Sequence, residues 1–362
     1  MNEHTSGPPL TAPNIGREQL DLPFDQYQRY RVISDALGLL RENEEPLRIL
    51  DVGGAEGVIL KFLHKDDVTI LDQTEAEGVP GFVLGDATAL PFEDESFDYV
   101  VSVDVYEHIP DEVREKYLSE LRRVARGGVL LAAPFDSEAV RAGERFANEF
   151  HRSIHNQGNV WLEEHADNGL PDLDGCARYF ETQGDEVTVL PNGYLPHWLA
   201  MISLTFYGNH LPEGMRDVAG RLNNFYNEFM YEHDNVEPGY RHAVIALKNS
   251  GDADLSGLAS SSDHPDAAMS AALFSTFSST LSFAPQVKDL SNKLAEKEAQ
   301  IRDLSRRLAQ QTAVSNSLTA LRQENAKMKR QLDAITNSRA WQLVERQRNL
   351  RISLRDRLGK GG

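Results

Sequence analysis

The stretch from Leu47 to Gly57, Leu-Arg-Ile-Leu-Asp-Val-Gly-Gly-Ala-Glu-Gly, constrains this chain more than any other. Its first half is an apolar run ending in Asp51, the pattern of a strand buried on both faces. Its second half consists of small residues, which let the backbone turn tightly beneath a ligand. The apolar Val58, Ile59, Leu60 and Phe62 that follow predict a helix whose first-turn amides face the same crevice. Strand, glycine turn and helix in that order predict an α/β doubly wound sheet that binds its ligand at the carboxyl ends of the strands.

A nicotinamide site would require Gly-x-Gly-x-x-Gly, and this chain lacks it: counted from Gly53, the third position is Ala55 and the sixth is Val58. The pattern Asp-x-Gly-x-Gly-x-Gly does fit at Asp51, Gly53 and Gly57, with Ala55 in place of the middle glycine. That pattern resembles the first motif of the class I S-adenosylmethionine-dependent methyltransferases of type 11. Alanine is the smallest replacement available, so a slightly wider turn at the methionine end of the cofactor is expected. A second apolar run, Val68 to Leu71, ends in Asp72 with Gln73 beside it. An acid at that spacing in a doubly wound sheet can accept hydrogen bonds from ribose hydroxyls. A third run, Gly81 to Leu84, leads into Gly85-Asp86-Ala87, and Tyr99 to Val103 reads as a fourth strand followed by Asp104-Val105-Tyr106-Glu107-His108-Ile109. The resemblance extends over about residues 30 to 250 and implies a seven-stranded, mostly parallel sheet. It gives the adenine amino group to Asp86, with Ala87 flanking the ring. The cofactor set expected for S-adenosyl-L-methionine is therefore Asp51, Gly53, Gly54, Ala55, Gly57, Asp72, Gln73, Asp86, Ala87 and Asp104.

Around this centre the chain divides into segments. Residues 1–23 are polar and proline-rich, and are expected to be disordered; residues 24–250 form the methyltransferase-like domain. Phe24 to Leu40 predicts a helix with an apolar face of Tyr27, Tyr30, Val32, Ile33, Leu37 and Leu40. Pro110-Asp111-Glu112 predicts a helix start, Gly127-Gly128 its end, and Val129 to Ala133 a fifth strand. The insertion 136–173 is rich in His, Glu and Asn and is expected to cap the acceptor. Asp174 is expected to cap a helix running to Gln183, with a strand at Glu186 to Leu190, a turn at Pro191 to Pro196, and one or two helices between Trp198 and Tyr231. His242 to Leu247 is expected as an antiparallel last strand.

Methyl transfer to a hydroxyl needs a base, and His155, His165 and Glu164 of the cap are the candidates. His151 and His155 stand four apart, which is metal-ligand spacing on a helix. No further Cys or carboxylate motif accompanies them, so no metal is expected.

Residues 251–285 read as a flexible linker of Ser, Asp, Ala and Gly. Residues 286–335 read as a coiled coil: Val287, Leu290, Leu294, Ile301, Leu304 and Leu308 keep heptad spacing, and Val314, Leu318, Leu321, Met328, Leu332 and Ile335 resume it after a shift of three. Asn325 falls at an a position, which favours a parallel homodimer in fixed register. Residues 336–362 form a basic amphipathic tail, from Arg339 and Trp341 to Arg357 and Lys360, suited to peripheral contact with an anionic membrane. Ser338-Arg339-Ala340-Trp341 after a coiled coil resembles the tail of bacterial surface-polysaccharide glycosyltransferases and methyltransferases. That resemblance implies a glycan or lipid-linked saccharide acceptor, with a small-molecule acceptor or an inactive scaffold in glycan assembly as the alternatives.

A net charge of −19 argues against nucleic acid as a partner for the body of the protein. The single cysteine, Cys176, forbids an internal disulfide and suits a reducing compartment. No apolar stretch approaches the length of a membrane span, and the first residues lack the pattern of a secretory signal, so a cytoplasmic protein, peripheral at the inner membrane face, is expected.

Overall fold

The computed structural model describes residues 15–208, 220–248, 254–258, 267–338 and 345–346. The chain separates into two compact units, Met1–Ala284 and Pro285–Gly362.

The first unit is built on seven strands: β1 (Arg48–Val52), β2 (Asp67–Asp72), β3 (Phe82–Leu84), β4 (Phe97–Val103), β5 (Ala125–Pro134), β6 (Glu186–Tyr194) and β7 (Gly239–Leu247). They lie in the order β3-β2-β1-β4-β5-β7-β6, parallel from β3 to β5, with β7 antiparallel to both of its neighbours. This is the seven-stranded, mostly parallel sheet that the sequence resemblance implies. Strand order reverses between β1 and β4, so the loops leaving their carboxyl ends diverge and open a crevice.

Successive strand residues face opposite sides, which divides the core into two layers. Ile49, Ile70, Val101, Leu130 and Ile245 face one layer with Tyr27, Ile33 and Leu37 of α2 (Phe24–Leu40). Leu50, Leu71, Val100, Leu131 and Val244 face the other, with Tyr117 and Leu121 of α3 (Asp111–Val124) and Phe180 of a later helix. The insertion between β5 and β6 supplies α4 (Glu138–His155), capped by Ser137, and α5 (Val160–Asn168), capped by Asn159. Helices α6 (Leu173–Thr182) and α7 (Leu195–Gly208) follow.

Several local readings change. Residues Arg17–Leu20 form a short helix, α1, and Leu22 is buried, so order begins before Phe24. Val58 to Lys61 make only one 3-10 turn, because two of its four residues are β-branched and the next strand starts at Asp67. Gly127 and Gly128 lie inside β5 instead of ending α3; a side chain at Gly127 would press on the Asp98 carbonyl and one at Gly128 on that of Ala246. Asp172, not Asp174, caps α6, accepting from the Gly175 amide at 2.8 Å. Pro191 to Tyr194 extend β6 because their partners in β7 continue to Gly239, and α7 starts at once.

The long C-terminal helix runs from Ala267 to Thr336 and so begins inside the stretch expected as linker. Alanines favour helix there, and Leu255, Leu258 and Leu273 are buried in the domain core. In the second unit the heptad residues Leu290, Leu294, Ile301, Leu304, Leu308, Val314, Leu318, Leu321, Met328 and Leu332 are each at least half exposed. The basic tail, apart from residues 336–338 and 345–346, lies outside the described residues.

Ending the chain after Ser250 is expected to cost stability, since it removes three buried leucines worth about 1.5–3 kcal/mol each. Thermal unfolding of fragments 1–250 and 1–284 checks this: the shorter should melt several degrees below the longer, and equal midpoints would contradict the docking of Leu273.

Candidate functional site

The crevice above the sheet is a cavity of about 850 Å³, walled by the loops after β1 to β4, by α2, α5 and α7, and by the start of β7. Gly53 leaves β1 in the left-handed region (φ 87°), and a side chain there would overlap Val105. A side chain on Gly54 would overlap the Asp51 carboxylate. The loop therefore lies flat on Asp51 and Val105, closed by the Gly57 amide donating to the Gly54 carbonyl at 2.7 Å. Ala55 does not have a positive φ, so its methyl needs no distortion, and its amide donates to Asp72 Oδ2 at 3.3 Å.

Asp51 is fully buried beneath this loop, and neither of its carboxylate oxygens has a hydrogen-bond partner. Burial pushes its pKa up to about 7, with Arg29 opposing and Asp72 adding to the rise. Asp72 takes the Thr74 amide on Oδ1 at 2.8 Å. Asp86 accepts from the amide and hydroxyl of Thr88, which hold its carboxyl below the usual range. Gly53, Gly54, Ala55, Asp72, Gln73, Asp86, Ala87 and Asp104 all line the cavity, whereas Asp51 and Gly57 do not.

Asp104 is held in a way that its sequence position does not reveal. It occupies the left-handed region at φ 51° and meets Arg29 Nη1 at 2.5 Å and Arg241 Nε and Nη2 at 2.6 and 2.7 Å. Although burial opposes ionisation, the two guanidiniums dominate and hold it ionised far below the usual carboxylate range. Neighbouring Glu107 has no such partner: burial, reinforced by the Asp104 charge, pushes it well above its ordinary value. Neither arginine was marked by a motif, since Arg29 lies on α2 and Arg241 on β7, far apart in sequence.

The cap candidates separate. His165 and Glu164 line the cavity, whereas His155 does not; at the last residue of α4 it faces the Phe206 carbonyl, and its ring lies tilted against that of His151 with centroids 4.3 Å apart. His165 is buried, its Nδ1 2.8 Å from Glu144 Oε1, which also accepts from the Tyr240 hydroxyl at 3.0 Å. Held so, His165 donates from Nδ1 to the Glu144 carboxylate, and its Nε2 is left without a partner. His108 lies beside it, ring centroids 4.8 Å apart, with Glu164 Oε2 at 3.5 Å and Trp161 edge-on. Burial and the adjacent His165 lower the pKa of His108.

Fold and cleft together fit a methyltransferase domain of the S-adenosylmethionine-dependent class. Residues 50–133 match the family described as a methyltransferase domain. The chain is 40% identical over 99 residues to a phthiotriol/phenolphthiotriol dimycocerosates methyltransferase of Mycobacterium ulcerans, covering 23% of this chain and 36% of that one. It is 39% identical over 98 residues to the chloroplastic 2-methyl-6-phytyl-1,4-hydroquinone methyltransferase 2 of Oryza sativa, covering 23% and 28%. The chain thus spans about a third of the length of these curated relatives. A solved structure from Thermotoga maritima, a possible histamine N-methyltransferase, aligns at 14% identity and TM-score 0.37 over 62% of this chain and 91% of its own.

S-adenosylmethionine is the cofactor of the matched domain, and the residues present fit it. It is cationic, and the cavity offers a flat glycine loop over an orphaned acid and further acids at the ends of β2 and β3.

The Asp51 carboxyl also predicts a pH signature. Its folded pKa, about 7, lies above the unfolded value of 3.8, so ionising it costs nothing near pH 3 and costs folding stability increasingly from about pH 4 to pH 7. Asp51→Asn should therefore melt close to wild type at pH 4 and clearly above it at pH 8, by up to a few kcal/mol. Calorimetric melts at both pH values measure this; a gain of equal size at both would contradict it.

Proposed function

We propose that this protein transfers the methyl group of S-adenosylmethionine to a saccharide hydroxyl, on a glycan or a lipid-linked sugar, and works as a parallel homodimer at the inner membrane face. The observation that carries the reading is the convergence on one cavity of the glycine loop, the acids at the strand ends, and His165, whose Nε2 has no partner.

Bound in the cavity, S-adenosylmethionine supplies an activated methyl group. Asp72 and Asp86 would hold its ribose and adenine, and Asp51 would ionise beside its positive charge. Tyr30, Trp198, Ile202 and Phe206 line the wall and keep water from the reacting centre. Trp161, which also lines the cavity and is more than half exposed, would offer its indole face to a sugar ring. His165 can receive the acceptor's hydroxyl proton on Nε2 while Glu144 steadies the imidazolium that results, with Glu164 as a second acceptor in the same wall.

The names of the two curated relatives refer to a lipid and a hydroquinone, which favours a second reading with an aromatic or lipidic hydroxyl as acceptor. Assaying labelled cofactor against glycan and lipid fractions separates the two readings.

The exposed apolar stripe of the long helix supports pairing, and two basic tails carried together would bind an anionic surface more tightly than one. Sedimentation of the full chain at micromolar concentration should give a dimer, and fragment 1–284 a monomer. A monomeric full chain would end the pairing proposal.

Asp72→Ala and Asp86→Ala should each weaken S-adenosylhomocysteine binding by about 1.5–3 kcal/mol, roughly 10- to 150-fold in Kd. His165→Gln should leave that Kd nearly unchanged while lowering kcat by about 100-fold or more. Calorimetry and single-turnover rates measure both, and unchanged Kd in the aspartate variants would contradict their assignment.

A further inference from the structure

The cap side of the cavity contains more unpartnered polar atoms than acid–base chemistry needs. Glu107 Oε2 and His165 Nε2 are buried without a hydrogen bond, His108 Nδ1 has only Glu164 Oε2 at 3.5 Å, and among the described residues these three side chains form a group that could hold a metal ion. Their ligand atoms lie within 4.8 Å of one another. Bonds of about 2.0–2.2 Å to a shared ion would place three ligand atoms about 3.3–3.8 Å apart, so a pair at the 4.8 Å limit would close by about 1–1.5 Å, shared between two side chains.

We propose that Glu107, His108 and His165 bind one divalent cation of the Mn²⁺, Co²⁺ or Zn²⁺ kind in the wall of the cavity. Two imidazoles and one carboxylate are the donor set that such borderline ions take, and three protein ligands leave positions open toward the cavity.

The surroundings are built as they are around metal-bound histidines. Glu144 fixes the tautomer of His165 through Nδ1 and is itself fixed by the Tyr240 hydroxyl, which leaves Nε2 as the lone-pair donor. Glu107 is 1% exposed and lies beside Asp104, whose charge is already matched by Arg29 and Arg241. Neither arginine is within hydrogen-bonding reach of Glu107 Oε2, and a cation would supply the positive charge it lacks. The other histidine pair, His151 and His155, has no third ligand grouped with it among the described residues.

With the cation bound, His165 Nε2 is a ligand and no longer the base; an open position on the ion would take the acceptor oxygen and lower its hydroxyl pKa, and Glu164 in the same lining would receive the proton. That role rests on the methyltransferase reading; cation binding does not.

The test uses the full chain, stripped with EDTA and dialysed, then titrated by calorimetry with Mn²⁺ and separately with Zn²⁺, with Co²⁺ followed by its visible absorption. One ion per chain is expected. His108→Ala and His165→Ala should each weaken binding at least 100-fold, Glu144→Gln about 10- to 100-fold through loss of positioning, and His151→Ala not at all. Circular dichroism establishes that each variant is folded. Should a variant fail to fold, broadening of imidazole resonances by Mn²⁺ in the wild-type chain replaces it, with His108 and His165 expected to broaden first. Absence of stoichiometric binding, or binding that depends on His151 and survives loss of His165, overturns the proposal. S-adenosylhomocysteine binding measured on the same samples keeps the two readings apart: cofactor binding without cation binding overturns only the metal site.

Discussion

Two arginines from opposite ends of the domain converge on one carboxylate at the end of β4, and the cavity depends on that clamp. Arg29 comes from α2, Arg241 from β7, and Asp104 holds both from a left-handed backbone position. A charge cluster this buried gains little net stability, because desolvation offsets most of its attraction, whereas removing one partner typically costs about 3–5 kcal/mol. Its contribution is therefore positional. It fixes α2 over the sheet and sets the start of β7 against the switch point, and Arg241 also donates to Gln28 Oε1 at 3.2 Å. Gln28 in turn joins Tyr226 and Asp234, and Asp234 faces His197 at 2.5 Å.

The same clamp divides the acids of the site by role. Asp104 is saturated and ionised, so it serves the architecture. Glu107, three residues on, meets that charge without a cation of its own, and Asp51 is buried without any partner. Acids left in that state are costly in a bare protein, and they are where a cationic ligand or a metal ion returns most binding energy. The site is thus destabilised in the places where it is meant to be filled.

What the sequence disclosed follows from the range of the forces involved. β1 to β4 and the acids at their ends were legible because central parallel strands are continuous apolar runs, and because the loop chemistry at Gly53 is set by neighbours within a few residues. Gly127 and Gly128 were misread since a helix end and a close strand approach use the same residue for different reasons. The linker was misplaced because serine and alanine composition says nothing about Leu273 finding a pocket in the core. Arg29, Arg241, Glu144 and Tyr240 were invisible: each matters through a partner more than 20 residues away, and no local pattern records such a pairing. His108 and His165 stand 57 residues apart and are brought together only by the return of α5 over the cleft.

The central claim is that one cavity holds the cofactor along the ends of β1, β2 and β3 and presents its reactive end to the cap. A crystal structure of the full chain grown with S-adenosylhomocysteine tests it most directly. The account predicts the ribose at Asp72, the adenine at Asp86, and the sulfur facing His165 across the cavity. Ligand bound elsewhere, or turned so that its sulfur faces away from α5, would contradict it.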